Sequence, residues 1–403
     1  MTTDRVRPPS FLAPFRTVSG SVLGAILACL TIVAASAATT IPAVRAQDAD
    51  PAAVPAPPEI TAAAALVIDT TTGVPLYALN PDEPRPPGST VKIATALVVV
   101  RNADLVESVV IDPTDLVDTA LYSNMGLVAG DSLTVEQLLY GLLLPSGNDA
   151  ARALARHVGT SLPGGTEDIA AATSAFVAAM NGLADELGLT NTAFANVAGE
   201  DADGQFVSAR DLATLAGALL DDPTLAEIVA TPGIDLVSAG PLAVLYSLPN
   251  SNALLADDGI VGVKTGSTEQ AGACLVAAKR IGNRNRVISV VLGSGLEYTP
   301  DGFQVPESDR RYDDTRALLA ALETDYRWVS PTAEGEVPGL AEELAAWGVT
   351  LARGPDIPVP VAELDALRYQ LVLGPAAEPE AEVGRVLFFV EDRPVGERTV
   401  VQV

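Results

Sequence analysis

The sequence predicts an α/β (α+β) protein, with one mainly antiparallel sheet carrying helices packed against it, followed by a small all-β domain. Three observations point there. Strand-like apolar runs at 64–69 and 74–79 and again at 259–264, 273–280 and 287–293 flank a mainly helical stretch, so strands from both ends of the region share one sheet. The segment after Gly88 is apolar on every side through Val100, as a helix buried in a core must be. From Val329 onward, prolines break up short β-rich runs at 349–353, 367–373, 385–390 and 395–401.

In chain order, Arg5, Arg7 and Arg16 precede 17–44, which carries no charge, the pattern of an export signal. Small residues at Ala35-Ser36-Ala37 and Val44-Arg45-Ala46 offer two cleavage sites, and the apolar span is also long enough to cross a bilayer, so a cleaved leader (1–46) and an uncleaved anchor both stand. Residues 47–58 are rich in Ala and Pro and form a linker. The main domain is expected over 59–328. It opens on a hairpin around Thr70-Thr71-Thr72-Gly73, continues into the buried helix, and then runs through helices at 135–144, 149–158, 167–187 and 209–220, the strands, and a helix over 313–323. The β-rich domain takes 329–403.

Composition narrows the chemistry. A net charge of −27 argues against nucleic acid and against an anionic membrane surface as partner. With one histidine, His157, and two cysteines, Cys29 and Cys274, no Cys/His zinc site can be built and a Ser-His-Asp triad has a single possible centre; no metal or cofactor is expected. Of the 24 basic residues only Lys92, Lys264 and Lys279 are lysines. Against that background a lysine marks a place where a deprotonatable amine is useful, because arginine keeps its charge.

Lys92 follows Ser89 by three positions at the start of the buried helix, so one turn puts hydroxyl and amine on the same face. Burial lowers a lysine's pKa, and a neutral amine can serve a hydroxyl as general base. Ser-x-x-Lys alone is also what a helix cap beside an incidental lysine looks like. Two further motifs settle the reading: Ser146-Gly147-Asn148-Asp149 before a helix, and Lys264-Thr265-Gly266-Ser267 at a strand end. The order Ser-x-x-Lys, Ser-x-Asn, Lys-Thr-Gly is that of penicillin-binding proteins and class A β-lactamases.

The chain resembles the low-molecular-mass penicillin-binding proteins, the serine-type D-alanyl-D-alanine carboxypeptidases, over about 60–326. The likeness extends to Ala65-Leu66-Val67-Ile68-Asp69, to Met180-Asn181 with Gly188-Leu189, to Asp201-Ala202-Asp203-Gly204-Gln205 and to Ser208-Ala209-Arg210-Asp211. It departs at Gly88, where the family usually has Ala, and at Val197-Ala198. Many relatives end in an amphipathic membrane helix, whereas this chain stops at Val403, so any membrane attachment is expected through 17–44.

The resemblance implies a β-lactamase/transpeptidase-like fold and a set of roles. Ser89 attacks the terminal D-Ala-D-Ala carbonyl of a peptidoglycan pentapeptide, with Lys92 as base, its pKa lowered by burial and by Lys264. Ser146 relays a proton to the departing amine, and Asn148 holds the substrate amide and Lys92. The backbone N–H groups of Ser89 and Ser267 form an oxyanion hole. Thr265, beside Gly266, and Arg311 receive the terminal carboxylate; the competing reading of Arg311 is an exposed arginine before a helix. β-Lactams are expected as covalent inhibitors. A β-lactamase is the main alternative, with Glu186 as its candidate deacylation base, and a non-catalytic wall-binding protein is the other. Arg210 and His157 read as structural.

Overall fold

The computed structural model describes residues 57–332, 336–375 and 378–403. The leader or anchor and nearly all of the linker lie outside these residues. Among the described residues no helix is long and apolar enough to cross a membrane.

The frame is a five-stranded antiparallel sheet of β1 (Ala64–Asp69), β2 (Val74–Leu79) and three strands from the far end of the domain. Between the two sets the chain forms α1 (Lys92–Asn102), a ribbon of β3 (Ser108–Val110) and β4 (Ser132–Thr134), then α2 (Val135–Leu143), α3 (Asn148–Gly159), α4 (Ile169–Glu186), α5 (Ala209–Asp221), α6 (Pro223–Ala230) and a second ribbon of β5 (Gly233–Val237) and β6 (Leu245–Pro249). The sheet is completed by β7 (Ile260–Thr268), β8 (Gly272–Ile281) and β9 (Asn285–Ser294), in the order β2-β1-β9-β8-β7.

Both faces of this sheet are covered, which is why its strands read as unbroken apolar runs. Alternate residues part to opposite sides. Leu66, Ile68, Val276, Ile288 and Val290 join the core shared with α1 to α6, while Ala65, Val67, Leu275, Val287 and Val291 join a second core against α7 (Arg311–Asp325). α1 is the centre of the larger core: every residue from Lys92 to Val99 is buried. Truncating any of Ile93, Leu97 or Val99 there would cost about 2–4 kcal/mol.

Caps fix where the helices start. Thr134 and Gln137 form a capping box for α2, Asp168 caps α4, and Ser208 caps α5. Asp222 ends α5 and caps α6, whose first residue is Pro223. The sequence pattern ends this helix at 220 and does not reveal α6, because one Asp-Pro step separates two helices with no intervening loop. It also ended β7 at Lys264, whereas the strand continues to Thr268. β7 is therefore an edge strand carrying the Lys-Thr-Gly triplet.

Beyond β9 a small ribbon, β10 (Glu297–Tyr298) with β11 (Gln304–Val305), precedes α7. The C-terminal part pairs β12 (Tyr326–Val329) with β14 (Ile357–Pro360), and builds a four-stranded antiparallel sheet from β13 (Val349–Leu351), β15 (Leu367–Leu373), β16 (Glu382–Val390) and β17 (Arg393–Gln402). It has a core of its own around Val386, Phe388 and Val400, together with one helix, α8 (Leu340–Trp347), that the proline-broken pattern did not reveal. The buried Asp69 carboxylate ties the parts together. It accepts from Thr71 and Thr72 N–H, from Asn285 Nδ2 at 2.8 Å and from Trp328 Nε1 at 2.8 Å.

Candidate active site

Ser89 sits in a single 3-10 turn (Gly88–Val91) that runs straight into α1, with Lys92 as the first α-helical residue. The three-residue spacing does what it predicts: Lys92 Nζ lies 2.9 Å from Ser89 Oγ. Pro87 supplies no side-chain cap, so the turn is held from outside. β7 crosses against it so closely that a Cβ on Gly266 would lie 3.0 Å from Ser89 N, and one on Gly88 would lie 2.9 Å from Ser267 N. The two expected oxyanion donors thus meet at a seam that excludes side chains.

Lys92 is fully buried and has two further acceptors, Asn148 Oδ1 at 2.7 Å and the Ala198 carbonyl at 2.6 Å. Its pKa is lowered to about 7, by burial first, with the carboxylates of Glu200 and Asp149 working in the opposite direction. The repulsion expected between Lys92 and Lys264 is present in the structure. Lys264 is buried too, and its pKa lies well below the ordinary value through burial and then through Lys92 and Arg311. With two N–H bonds directed to Asn148 and Ala198, a neutral Lys92 presents its lone pair to the Ser89 hydroxyl.

Ser146 and Asn148 arrive from the turn between α2 and α3. Ser146 is held at φ +65°, a left-handed conformation that costs a serine roughly 1 kcal/mol or more. Its Oγ is buried and has no hydrogen-bond partner among the described residues. Asn148 opens α3 and is followed by Asp149, whose carboxylate gathers the N–H groups of Met125, Gly126 and Leu127 at 3.0 Å each. That nest anchors the loop whose Ala120 to Ser123 form one wall of the cleft.

The opposite wall is β7 and its neighbours. Thr265 Oγ1 is 2.7 Å from Ser251 Oγ, and Ser267 Oγ accepts from Gln304 Nε2 at 2.7 Å. Arg311 is not the exposed arginine that one reading allowed; it is 4% exposed, and its Nη1 donates to the Gly266 carbonyl at 2.8 Å while Nε pairs with Asp309. It braces the Lys-Thr-Gly edge and adds a permanent cation behind it.

The floor and remaining rim come from 196–200. Asn196 Oδ1 accepts from the N–H groups of Ala198, Gly199 and Glu200, folding the loop so that Ala198 offers its carbonyl to Lys92. Gly199, at φ +88°, has no room for a side chain: a Cβ would lie 1.9 Å from the Gly88 carbonyl oxygen. Together these walls enclose a cleft of about 880 Å³ lined by Ser89, Ser146, Asn148, Thr265, Gly266, Ser267 and Arg311. Every candidate residue is there or directly behind it, Lys92 and Lys264 forming the buried layer.

Glu186 is not. It ends α4 with its carboxylate held by Arg101 at 2.9 and 3.0 Å, away from the cleft. Carboxylates that do line the cleft are Glu200, Asp201, which is bonded to Thr268, Glu269, Asp301 and Asp309; of these Glu200 is the one in contact with Asn148. Sequence reasoning missed Glu200, Ser251 and Gln304. Each is a single loop or edge residue brought in from a distance, and only Glu200, one residue ahead of the quoted Asp201 motif, left any signal. Arg210 pairs with Asp82, and His157 lies 3.0 Å from Glu107 on the surface, both outside the cleft.

Comparison with known proteins points to one family. The profile of the family described as D-alanyl-D-alanine carboxypeptidase matches residues 51–295. The D-alanyl-D-alanine carboxypeptidase of Streptomyces sp. (strain K15) is 36% identical over 254 residues, covering 61% of this chain and 85% of the relative. Escherichia coli (strain K12) D-alanyl-D-alanine carboxypeptidase DacC is 36% identical over 249 residues, covering 59% of this chain and 58% of the relative. Among solved structures, the Streptomyces K15 DD-transpeptidase superposes with a TM-score of 0.58 at 33% identity, covering 66% of this chain and 98% of that one. Penicillin-binding protein 6B of Escherichia coli reaches 0.62 at 28% identity, covering 86% and 96%.

Proposed function

The chain belongs to the D-alanyl-D-alanine carboxypeptidase family, and from that membership and the cleft we infer which of its residues carry out the family's reaction, removal of the terminal D-Ala from peptidoglycan stem peptides. The observation that carries the assignment is the 2.9 Å contact between Ser89 Oγ and a Lys92 amine held near pKa 7.

Ser89 Oγ attacks the carbonyl of the D-Ala-D-Ala bond while its proton passes to Lys92. The oxyanion is met by the N–H groups of Ser89 and Ser267, each such donor being worth about 3 kcal/mol. The C–N bond then breaks as Ser146 gives its hydroxyl proton to the departing amine and takes the proton held by Lys92 in its place, which returns Lys92 to the neutral form for the attack of water. Water attacks the resulting ester, its proton returning through Lys92, and Ser89 is regenerated. Specificity for a chain end has a physical source. Lys264 and Arg311 concentrate positive charge behind Thr265, and a substrate carboxylate arriving there restores the charge that burial suppresses.

A β-lactam offers the same two features, a reactive amide and a carboxylate, but its leaving group remains tethered and obstructs water. The expected result with a fluorescent penicillin is a covalent adduct on Ser89 lasting minutes or longer by intact-mass spectrometry, absent from Ser89→Ala. It should be accompanied by D-Ala release from a peptide ending in D-Ala-D-Ala. Rapid multiple-turnover penicillin hydrolysis without D-Ala release would make the protein a β-lactamase, and the lack of both activities would make it a wall-binding protein.

The substrate places the enzyme outside the cytoplasmic membrane. We assign export, and any membrane attachment, to 17–44 after the arginine-bearing start. Deleting 1–46 should yield a soluble protein with full acylation; partitioning of that variant into membranes would show that the attachment lies elsewhere.

A further inference from the structure

Glu200 lines the cleft without being one of the motif residues, and its contacts lead to the reaction centre. Its Oε1 lies 3.5 Å from Asn148 Nδ2 and 3.1 Å from Arg152 Nη2. Arg152 stands one turn after Asn148 on α3, so a single helix face presents both partners to the carboxylate. A carboxylate accepts only, so the Asn148 group facing it must be the amide NH₂, which leaves Oδ1 for Lys92 Nζ at 2.7 Å. Turning the amide over would set two acceptors against each other at one end and two donor groups at the other. The backbone permits little slack, because Glu200 N–H is tied to Asn196 Oδ1 and Gly199 is wedged against Gly88.

We propose that Glu200 is a positioning residue for acyl transfer: its carboxylate fixes the Asn148 amide and, through that amide and its own charge, sets the proton affinity of Lys92 and hence the pH at which the base becomes competent. The inference rests on Lys92 being the base. Burial alone would drive the ammonium of Lys92 toward neutrality; a nearby anion holds the proton longer and keeps the amine basic enough to take one from serine. The charged groups facing Lys92 are Glu200 from 196–200, Asp149 from α3, and Lys264 from β7 with Arg311 of α7 behind it. Asp149 is occupied by the N–H groups of 125–127, and Lys264 and Arg311, whenever charged, oppose retention of the proton. Glu200 is therefore the adjustable member, and Arg152 moderates it.

The test is the acylation rate with a fluorescent penicillin across pH 5–9, measured on the full chain. In the wild type the rate should climb with pH as Lys92 loses its proton near 7. Glu200→Gln removes the anion, so the climb should move down by on the order of one pH unit, with a lower plateau because the amine is a weaker base. Arg152→Gln unmasks the anion, so the climb should move up. Glu200→Asp keeps the charge and should stay near the wild type. A purely structural role would scale the rate equally at every pH, and a fixed midpoint in both Glu200→Gln and Arg152→Gln overturns the proposal. So does a Glu200→Gln variant that acylates normally but loses the adduct more slowly, which would make Glu200 a deacylation base. A wild-type profile flat through neutrality would instead overturn the assignment of Lys92 as base, a distinguishable outcome.

Discussion

Lys92→Arg is expected to lose acylation almost entirely while keeping the fold. A guanidinium cannot give up its proton in a protein, so the group that must accept the Ser89 proton would be permanently charged. The loss of a positioned general base is worth a factor of about 10²–10⁴. Arginine also has to occupy a slot with three acceptors at 2.6–2.9 Å and no exposed surface, and overpacking there costs about 1–3 kcal/mol. Lys92→Met therefore serves as its companion: it matches the volume, removes the amine and leaves no buried charge. Acylation kinetics with a fluorescent penicillin, together with thermal midpoints, separate chemistry from folding. Either variant keeping more than about a tenth of the wild-type rate, a barrier change under about 1.4 kcal/mol, would remove Lys92 from the role. The wild type supplies a matching signature. With an amine near 7, the neutral fraction is about one half at pH 7 and about one hundredth at pH 5, so acylation should fall roughly fifty-fold between them. Neither variant should show that slope.

What could be read from the sequence follows from the range of the interactions involved. Ser89 and Lys92 are three apart on a helix whose all-apolar composition announces burial, so both their contact and the lowered pKa were predictable from periodicity and desolvation. The strands were legible because their runs end at turn residues, and the antiparallel sheet follows from having them at both ends of a helical insert. Ser146, Asn148 and the Lys-Thr-Gly strand were found only because their order is distinctive; nothing local distinguishes Ser146 from any serine in a turn. The rest is through-space. Glu200 acquires its meaning from Arg152 and Asn148, 48 and 52 positions away, and Ser251 from Thr265. The sign of the electrostatics was similarly out of reach. Proximity of Lys92 and Lys264 was foreseeable, but the Glu200 carboxylate that works against burial at Lys92 was not, because it sits on a loop without a pattern. In the C-terminal part, α8 was hidden among prolines because a helix of eight residues carries too few turns to establish a period.

The Ser146 hydroxyl should prove costly to the fold and indispensable to turnover. Its backbone is left-handed at φ +65° and its Oγ is buried with no partner among the described residues, so the free enzyme bears both the strain and the unsatisfied group. Such an arrangement is explained if the missing partner is the substrate's departing nitrogen, which needs a proton at the moment the C–N bond breaks. Two substitutions separate the terms. Ser146→Ala removes the hydroxyl and keeps a Cβ in the strained conformation; Ser146→Gly removes both. Both should reduce D-Ala release from a peptide by about 10²–10⁴ through the lost relay. Their stabilities should differ, with Ser146→Gly the more stable of the two by about 1 kcal/mol in chemical denaturation, since glycine adopts this backbone without a Cβ penalty. Acylation by a penicillin should suffer less than peptide cleavage, because the strained lactam nitrogen depends less on being protonated as it leaves. Equal losses on penicillin and peptide would place Ser146 in binding or in activation of Ser89, and near-normal D-Ala release by Ser146→Gly would leave its strained geometry without a catalytic explanation.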